Sequence, residues 1–132
     1  MFGVHGNDFV KTMLRVGRER RELRIVADQT GGPTEARDIA DAILTIAAAC
    51  RRPGVSLSFC RCPSTSWYEL TDAIFARARP PVPRPIAIES RDYPTQAARP
   101  RNSFLDCSRI RRIFNLEQPD WRISLSRVLR PS

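Results

Sequence analysis

Asn7 and Lys11 stand four residues apart at the head of an apolar-patterned run, so they share the first turn of a helix. Free backbone N–H groups and the helix dipole favour an anion at such an end. The same two residues serve equally well as a cap and a solvated lysine. Gln29 lies in Asp28-Gln29-Thr30-Gly31-Gly32-Pro33-Thr34, where paired glycines permit unusual backbone angles. Its amide can reach a ligand or bond the turn itself. Cysteine chemistry is sparse. Cys60-Arg61-Cys62 is a C-x-C pair, Cys50 and Cys107 stand alone, and the single histidine, His5, is remote from all four. No zinc spacing results, so no metal site is expected and the thiols read as incidental or buried. The sequence holds no G-x-G-x-x-G, no P-loop and no G-x-S-x-G, and therefore no cofactor-binding loop of its own.

Charge and length narrow the classes further. The 132 residues carry 22 basic against 14 acidic side chains, a formal +8. Of the basic residues 21 are arginines, scattered from Arg15 to Arg130. A nucleic-acid binder concentrates charge on one face and interleaves aromatics for stacking. Here the cluster Arg18-Glu19-Arg20-Arg21-Glu22 is mixed in sign and reads as a solvated helix face. The composition thus argues against nucleic acid. No run approaches the ~18 apolar residues of a membrane span, and Met1–Gly6 has neither a basic nor a long apolar leader region, so a cytoplasmic location is expected. The length suits one domain.

The elements that must position these residues follow from spacing. Asn7-Asp8 can cap a helix whose face is Phe9, Val10, Met13 and Leu14, running to about Arg21. Leu23–Val26 is a short strand. Thr34 can cap a second helix facing inward through Ile39, Ile43, Ile46 and Ala47, ended by Arg51-Arg52-Pro53-Gly54. Val55, Leu57 and Phe59 alternate as a second strand. Ser66 and Glu69 stand at capping-box spacing before a helix with Trp67, Leu70, Ile74 and Phe75. The prolines from Pro80 to Pro85 force an extended segment, and Ile86–Ile88 is a third strand. Ser90–Ser103 is a long polar loop of the kind that carries function. Helices at Ser108–Phe114 and Asp120–Leu129 close the chain, with Trp121, Leu125 and Val128 inward; both tryptophans read as core. The order predicts a small mixed α/β (α+β) lobe, not a doubly wound sheet.

Four stretches in this order resemble the dTDP-4-dehydrorhamnose reductases, of the extended short-chain dehydrogenase/reductase group. They are Gly6-Asn7-Asp8-Phe9-Val10-Lys11-Thr12-Met13-Leu14; Asp28–Thr34 with Asp38-Ile39-Ala40-Asp41; Thr65-Ser66-Trp67-Tyr68; and Tyr93-Pro94-Thr95 leading to Arg99-Pro100-Arg101-Asn102-Ser103, Leu105-Asp106 and Pro119-Asp120-Trp121-Arg122. The resemblance covers essentially the whole chain but about the C-terminal half of the family protein. It implies the substrate-binding domain, residues 1–132, of an enzyme that reduces the 4-keto group of dTDP-4-dehydro-L-rhamnose with NADPH or NADH; the product feeds cell-surface polysaccharide. The N-terminal Rossmann domain, with its cofactor loop and Tyr-x-x-x-Lys pair, is then absent. Four positions after Tyr68 and Tyr93 stand Asp72 and Ala97, not lysine, so no catalytic or cofactor-binding residue is assigned. Met1 takes the place of a valine that often precedes the phenylalanine-glycine of family members. An open reading frame restarted inside an older gene is the expectation, and an intact upstream coding segment in frame would overturn it.

The resemblance makes Arg99 the leading ligand residue, the retained member of an arginine pair facing the nucleotide diphosphate. Ala98 replaces the other, and a pyrophosphate gripped by one cation in place of two is held more weakly. Asn7, Lys11, Gln29 and Asn102 complete the expected substrate site. Three readings result: a sugar-nucleotide-binding lobe that is catalytically inactive alone; a half-enzyme completed in trans by a separately encoded Rossmann partner; or an arginine-rich binder of nucleic acid or acidic partners.

Overall fold

Helix α1 (Phe9–Glu19) forms where the apolar spacing placed it, and Asp8 is its cap: the Asp8 carboxylate accepts the Lys11 amide at 3.1 Å and the Gly3 amide at 3.2 Å. The helix ends at Glu19, two residues before the expected Arg21, and the chain then turns into β1 (Glu22–Val26). The computed structural model describes residues 1–49, 54 and 56–130. After β1 come β2 (Thr30–Gly31), α2 (Ala36–Ala49), β3 (Thr65–Ser66), α3 (Trp67–Phe75), β4 (Arg84–Ile88), a 3-10 turn at Ser90–Asp92, α4 (Ser108–Phe114) and α5 (Trp121–Val128).

β1 and β4 pair in parallel from Glu22 opposite Arg84 to Val26 opposite Ile88. A parallel pair needs a long crossover, and here it contains α2 and α3. α3 lies against both strands and against α1. Leu23 and Ile25 on β1, Val10 on α1, and Leu70, Ile74 and Phe75 on α3 are buried together with Phe2, Trp121 and Leu125. α3 starts with both halves of a capping box: Ser66 Oγ accepts the Glu69 amide at 3.1 Å, and Glu69 Oε2 accepts the Ser66 amide at 2.9 Å. That Ser66 bond, followed by one from the Thr65 hydroxyl, holds the Glu69 carboxyl below its usual range. A mixed α/β lobe is therefore what the chain makes, as the pattern predicts.

Three expectations need correction. First, β2 and β3 are two-residue antiparallel partners, Thr30 opposite Ser66 and Gly31 opposite Thr65. They take the place of the strand expected at 55–59: residues 56–60 are irregular, and Val55, like the expected helix end at 50–53, lies outside the described residues. Leu57 and Phe59 still turn inward, against a second apolar cluster around Cys60, Cys107 and Ile110. Second, α2 is rotated from its expected face. Asp38 and Ala42 are its buried residues and the expected Ile39 and Ile46 are half-buried, whereas Ile43, expected inward, is 59% exposed and its neighbour Leu44 68%. Thr34 does not cap it; its hydroxyl donates to Gly32 O at 2.9 Å and accepts the Arg61 amide at 3.1 Å. Third, Trp121 is core but Trp67 is 41% exposed.

A buried charge cluster explains the rotation of α2. Asp38 Oδ2 accepts Arg61 Nε at 2.8 Å and the Ser124 hydroxyl at 2.7 Å, while Oδ1 accepts Arg61 Nη2 and Arg127 Nη2. Arg127 also clasps Glu35 through Nε, at 3.0 Å, and Nη2. Two carboxylates and two guanidiniums balance, as burial demands. Burial pushes the Asp38 carboxyl up, but the bonds from Arg61, Ser124 and Arg127 outweigh it and leave the group below its ordinary 3.8. Because folding favours the ionised form, its contribution is complete above about pH 4 and is lost as pH falls through the lower folded value. Asp38→Asn, which leaves both guanidiniums underpaired, should cost about 3–5 kcal/mol near neutrality. Urea unfolding from pH 7 to pH 2 checks this: the gap between wild type and variant closes below about pH 4, and a pH-independent gap refutes the assignment.

Candidate functional site

The glycine loop, the head of α1, the head of α3 and the end of the long polar loop meet at one place. Thr30 is the hub. On one side it pairs with Ser66; on the other its amide donates to Arg101 O at 2.8 Å and its carbonyl accepts the Ser103 amide at 2.9 Å. Asn102 bridges directly to Thr30, and its Oδ1 accepts the Phe104 amide at 2.9 Å. Residues 66 and 101–103, well separated from Thr30 and from each other in the chain, thus converge on one residue's backbone.

Beside this junction is a cavity of about 270 Å³. Phe9 and Trp67 form one wall, their rings 4.7 Å apart and tilted by 51°. Gly31, Gly32 and Cys60 form another, and Thr65, Ser66 and Ser103 line it as well, their hydroxyls donating to Glu69 and to Thr30 O. Aromatic faces and hydroxyls suit a ring system carrying polar substituents. A larger cleft of about 720 Å³ lies at the opposite ends of α1 and α3, among Leu14, Arg18, Phe75 and Arg79. It contains none of the segments gathered around Thr30, so volume alone does not locate the site.

None of the five predicted ligand residues lines the cavity, and they fall into three situations. Gln29 and Asn102 flank Thr30. The Gln29 amide donates to Ser90 Oγ at 2.9 Å, and Ser90 in turn donates to Asp28 Oδ1, at 2.7 Å from its hydroxyl and 2.9 Å from its amide. The Ser90 hydroxyl is the main reason the Asp28 carboxyl lies below its usual range. This relay fixes the amide's orientation and leaves Gln29 Oε1 without a protein donor among the described residues. Arg99 is exposed, two residues before the segment that pairs with Thr30. Asn7 and Lys11 lie at the head of α1, next to the cavity wall residue Phe9. There the Lys11 ammonium is engaged by Val4 O and Gly6 O, both at 2.7 Å, and the Asp8 carboxylate occupies the helix end where an anion would sit.

Sequence reasoning missed the pairing of Phe9 with Trp67. Each was read as an inward position on its own helix; the signal available was Trp67's place at the first helical position after the Ser66 cap, where a side chain borders the loop beneath it. Among the described residues no group of three or more His, Cys, Asp or Glu side chains is placed to hold a metal ion.

The fold defines a small mixed α/β lobe with a cavity of about 270 Å³ that the polar loop reaches through its last residue, Ser103. Residues 1–132 match the RmlD substrate binding domain, and the chain belongs to that family. It is 41% identical over 137 residues to a dTDP-4-dehydrorhamnose reductase of Aggregatibacter actinomycetemcomitans, covering 96% of this chain and 46% of that protein. The reductase of Escherichia coli strain K12 is 37% identical, across 98% of this chain and 46% of its own length. Among solved structures, the dTDP-4-dehydrorhamnose reductase of Bacillus anthracis strain Ames, in complex with NADP, superposes with a TM-score of 0.86 at 31% identity, over 96% of this chain and 44% of that one. The Clostridium acetobutylicum ortholog gives 0.84 at 26% identity, over 94% and 43%. The chain spans about half the length of the curated relatives it matches. The resemblance read from the four motifs holds, and so does its confinement to part of the family protein.

Gly32 tests the packing behind the cavity. A Cβ there would meet Arg61 O at 2.7 Å and Cys60 Sγ at 2.8 Å, one of them backbone in the strap that carries the buried charges. Gly32→Ala is expected to destabilise by about 1–3 kcal/mol. Gly3→Ala, whose Cβ would meet Ala36 Cβ at an ordinary 3.5 Å, should stay within about 0.5 kcal/mol. Thermal unfolding of the two variants distinguishes them; equal effects refute the close approach.

Proposed function

We propose that this chain is a sugar-nucleotide-binding lobe that takes dTDP-4-dehydro-L-rhamnose or its reduced product. The observation that carries the reading is the pairing of residues 101–103 with Thr30. It brings Asn102, and the exposed Arg99 just before it, close to the Gln29 relay and to the loop whose Gly31 and Gly32 line the cavity walled by Phe9 and Trp67. A ring of the nucleotide sugar enters the cavity, Gln29 Oε1 accepts a hydrogen bond from a part of the ligand outside it, and Arg99 closes on the diphosphate from the exposed loop. Asn102 holds that loop in register. Asn7 and Lys11 shape the loop below Phe9 and act on the ligand through it.

Hydride transfer lies outside these residues. NADPH or NADH would be bound by a Rossmann partner, which would also supply the tyrosine–lysine pair: the tyrosine gives a proton to the developing alkoxide and the lysine lowers its pKa. Alone, the lobe binds without reducing. A second reading, completion in trans by a separately encoded Rossmann half, is favoured by the α2 surface. Its inward side is spent on Asp38 and Ala42, and Ile43 and Leu44 stand open to solvent, an apolar face of the kind a partner covers. A cytoplasmic location fits both readings, since no described helix is long and apolar enough to cross a membrane.

Calorimetric titration with dTDP-rhamnose checks the first reading. The native chain should bind and Arg99→Ala should bind about tenfold more weakly, the loss expected of one exposed charge-assisted contact. Equal affinity removes Arg99 from the site, and no binding by the native chain at millimolar ligand refutes the lobe. For the second reading, NADPH oxidation with dTDP-4-dehydro-L-rhamnose should be absent with this chain alone and appear on adding the N-terminal half of a related reductase. Silence of the mixture, with ligand binding intact, eliminates completion in trans.

A further inference from the structure

Cys60 and Cys107 are 47 positions apart in the chain, yet their sulfurs are 3.8 Å apart. The Cys60 amide donates to Cys107 Sγ at 3.3 Å, so one cysteine's backbone touches the other's sulfur. Both side chains are buried, at 4% and 2% exposure, in the small cluster with Ile110. Neither residue has a part in the ligand site proposed above beyond Cys60 forming some of the cavity wall. We propose that Cys60 and Cys107 are an oxidisable dithiol, a modification site whose disulfide pins the 60–62 strap to the head of α4.

The geometry is near that of a bond already. A disulfide needs sulfurs about 2.05 Å apart on backbones that lie close together, and a change of side-chain torsion with a small shift of the α4 head covers the difference. The strap is held from its other side: Arg61 by Asp38 and Thr34, and Cys62 by Pro119 O and the Trp121 amide. Motion on oxidation therefore falls on Cys107. Cys62 points elsewhere, its Sγ on Gln118 O, and is not a competitor for either sulfur.

The oxidant is a small-molecule disulfide such as oxidised glutathione, entering by the cavity that Cys60 borders. The Cys60 thiolate attacks one glutathione sulfur, forming a mixed disulfide and expelling a glutathione thiolate. The Cys107 thiolate then attacks the Cys60 sulfur and expels the second. Two protons and two electrons leave the protein and two glutathione thiols are produced. Burial pushes the Cys107 thiol up to about 11, so at neutral pH the second step draws on a small thiolate fraction and is slow.

The full chain is incubated with oxidised glutathione at mildly alkaline pH, alkylated and weighed. The expected product is lighter by about 2 Da before alkylation, carries no glutathione, and returns to its starting mass with dithiothreitol. Peptide mapping should join Cys60 to Cys107, and the thermal midpoint should rise by about 5–10 °C, since the bond closes a long loop. Cys62→Ala should behave as the native chain does, and Cys107→Ala should stop at the glutathione adduct. If Cys107→Ala fails to fold, the native peptide map and Cys62→Ala decide. An unchanged mass, a retained adduct on the native chain, a crosslink through Cys62 or Cys50, or a midpoint that falls on oxidation each overturns the proposal.

Discussion

Asp38 organises this molecule. Its carboxylate is almost withdrawn from water, and it is tolerable there because Arg61, Arg127 and Ser124 all donate to it. The three donors come from two segments remote from it in sequence, the 60–62 strap and α5. Such a group cannot be satisfied by approximate collapse: each partner must arrive at hydrogen-bond distance, because a buried charge left underpaired is far more costly than an apolar contact slightly misplaced. The cluster consequently acts as a register. It sets the rotation of α2, the path of the strap and the docking of α5 together, and Glu35 extends it by taking the rest of Arg127.

The site inherits that order. With Arg61 drawn onto Asp38, Cys60 and the Arg61 carbonyl come up against Gly32, close enough that no larger residue fits. That places the glycine loop over the heads of α1 and α3, where Phe9 and Trp67 meet. The same positioning presents Thr30 with a free edge, which the end of the polar loop takes. An interaction with no contact to the cavity thereby decides the cavity's shape. Packed cavity walls thus stand beside an exposed, arginine-bearing loop.

Family membership comes with a difference in length. The chain spans about half the length of its curated relatives, and α2 exposes Ile43 and Leu44 because its polar side has been turned inward. The +8 charge has a different meaning from the one it first suggests. Two of the arginines, Arg61 and Arg127, are structural and work by neutralising buried carboxylates. Others make surface pairs, such as Arg111 with Glu117 and Arg122 with Asp120, of little energetic weight.

By itself the sequence determined the local elements and the family. α1, α3, α4 and α5 follow from apolar spacing and from the Asp8, Ser66 and Asp120 caps, because a helix's own periodicity and terminal hydrogen bonds act within a few residues. The four motifs identified the lobe for the same reason, being made of short contiguous runs in a fixed order. Tertiary structure alone decided the rest. Apolar spacing pointed α2 inward through Ile39, Ile43, Ile46 and Ala47; Ile39 and Ile46 are half-buried, but a remote ion cluster puts Asp38 and Ala42 innermost and leaves Ile43 and Ala47 exposed. Alternation made 55–59 a strand, yet residues 56–60 find no strand partner among the described residues. Trp67 read as core and became a cavity wall, because what a helix face meets depends on the helix it crosses. Cys60 and Cys107 read as unrelated thiols, and Gln29 as an amide for a ligand or for its own turn, until the fold brought a second residue to each across 47 and 61 positions. Contacts of that range are set by the whole chain's packing, and no local pattern of residues carries them.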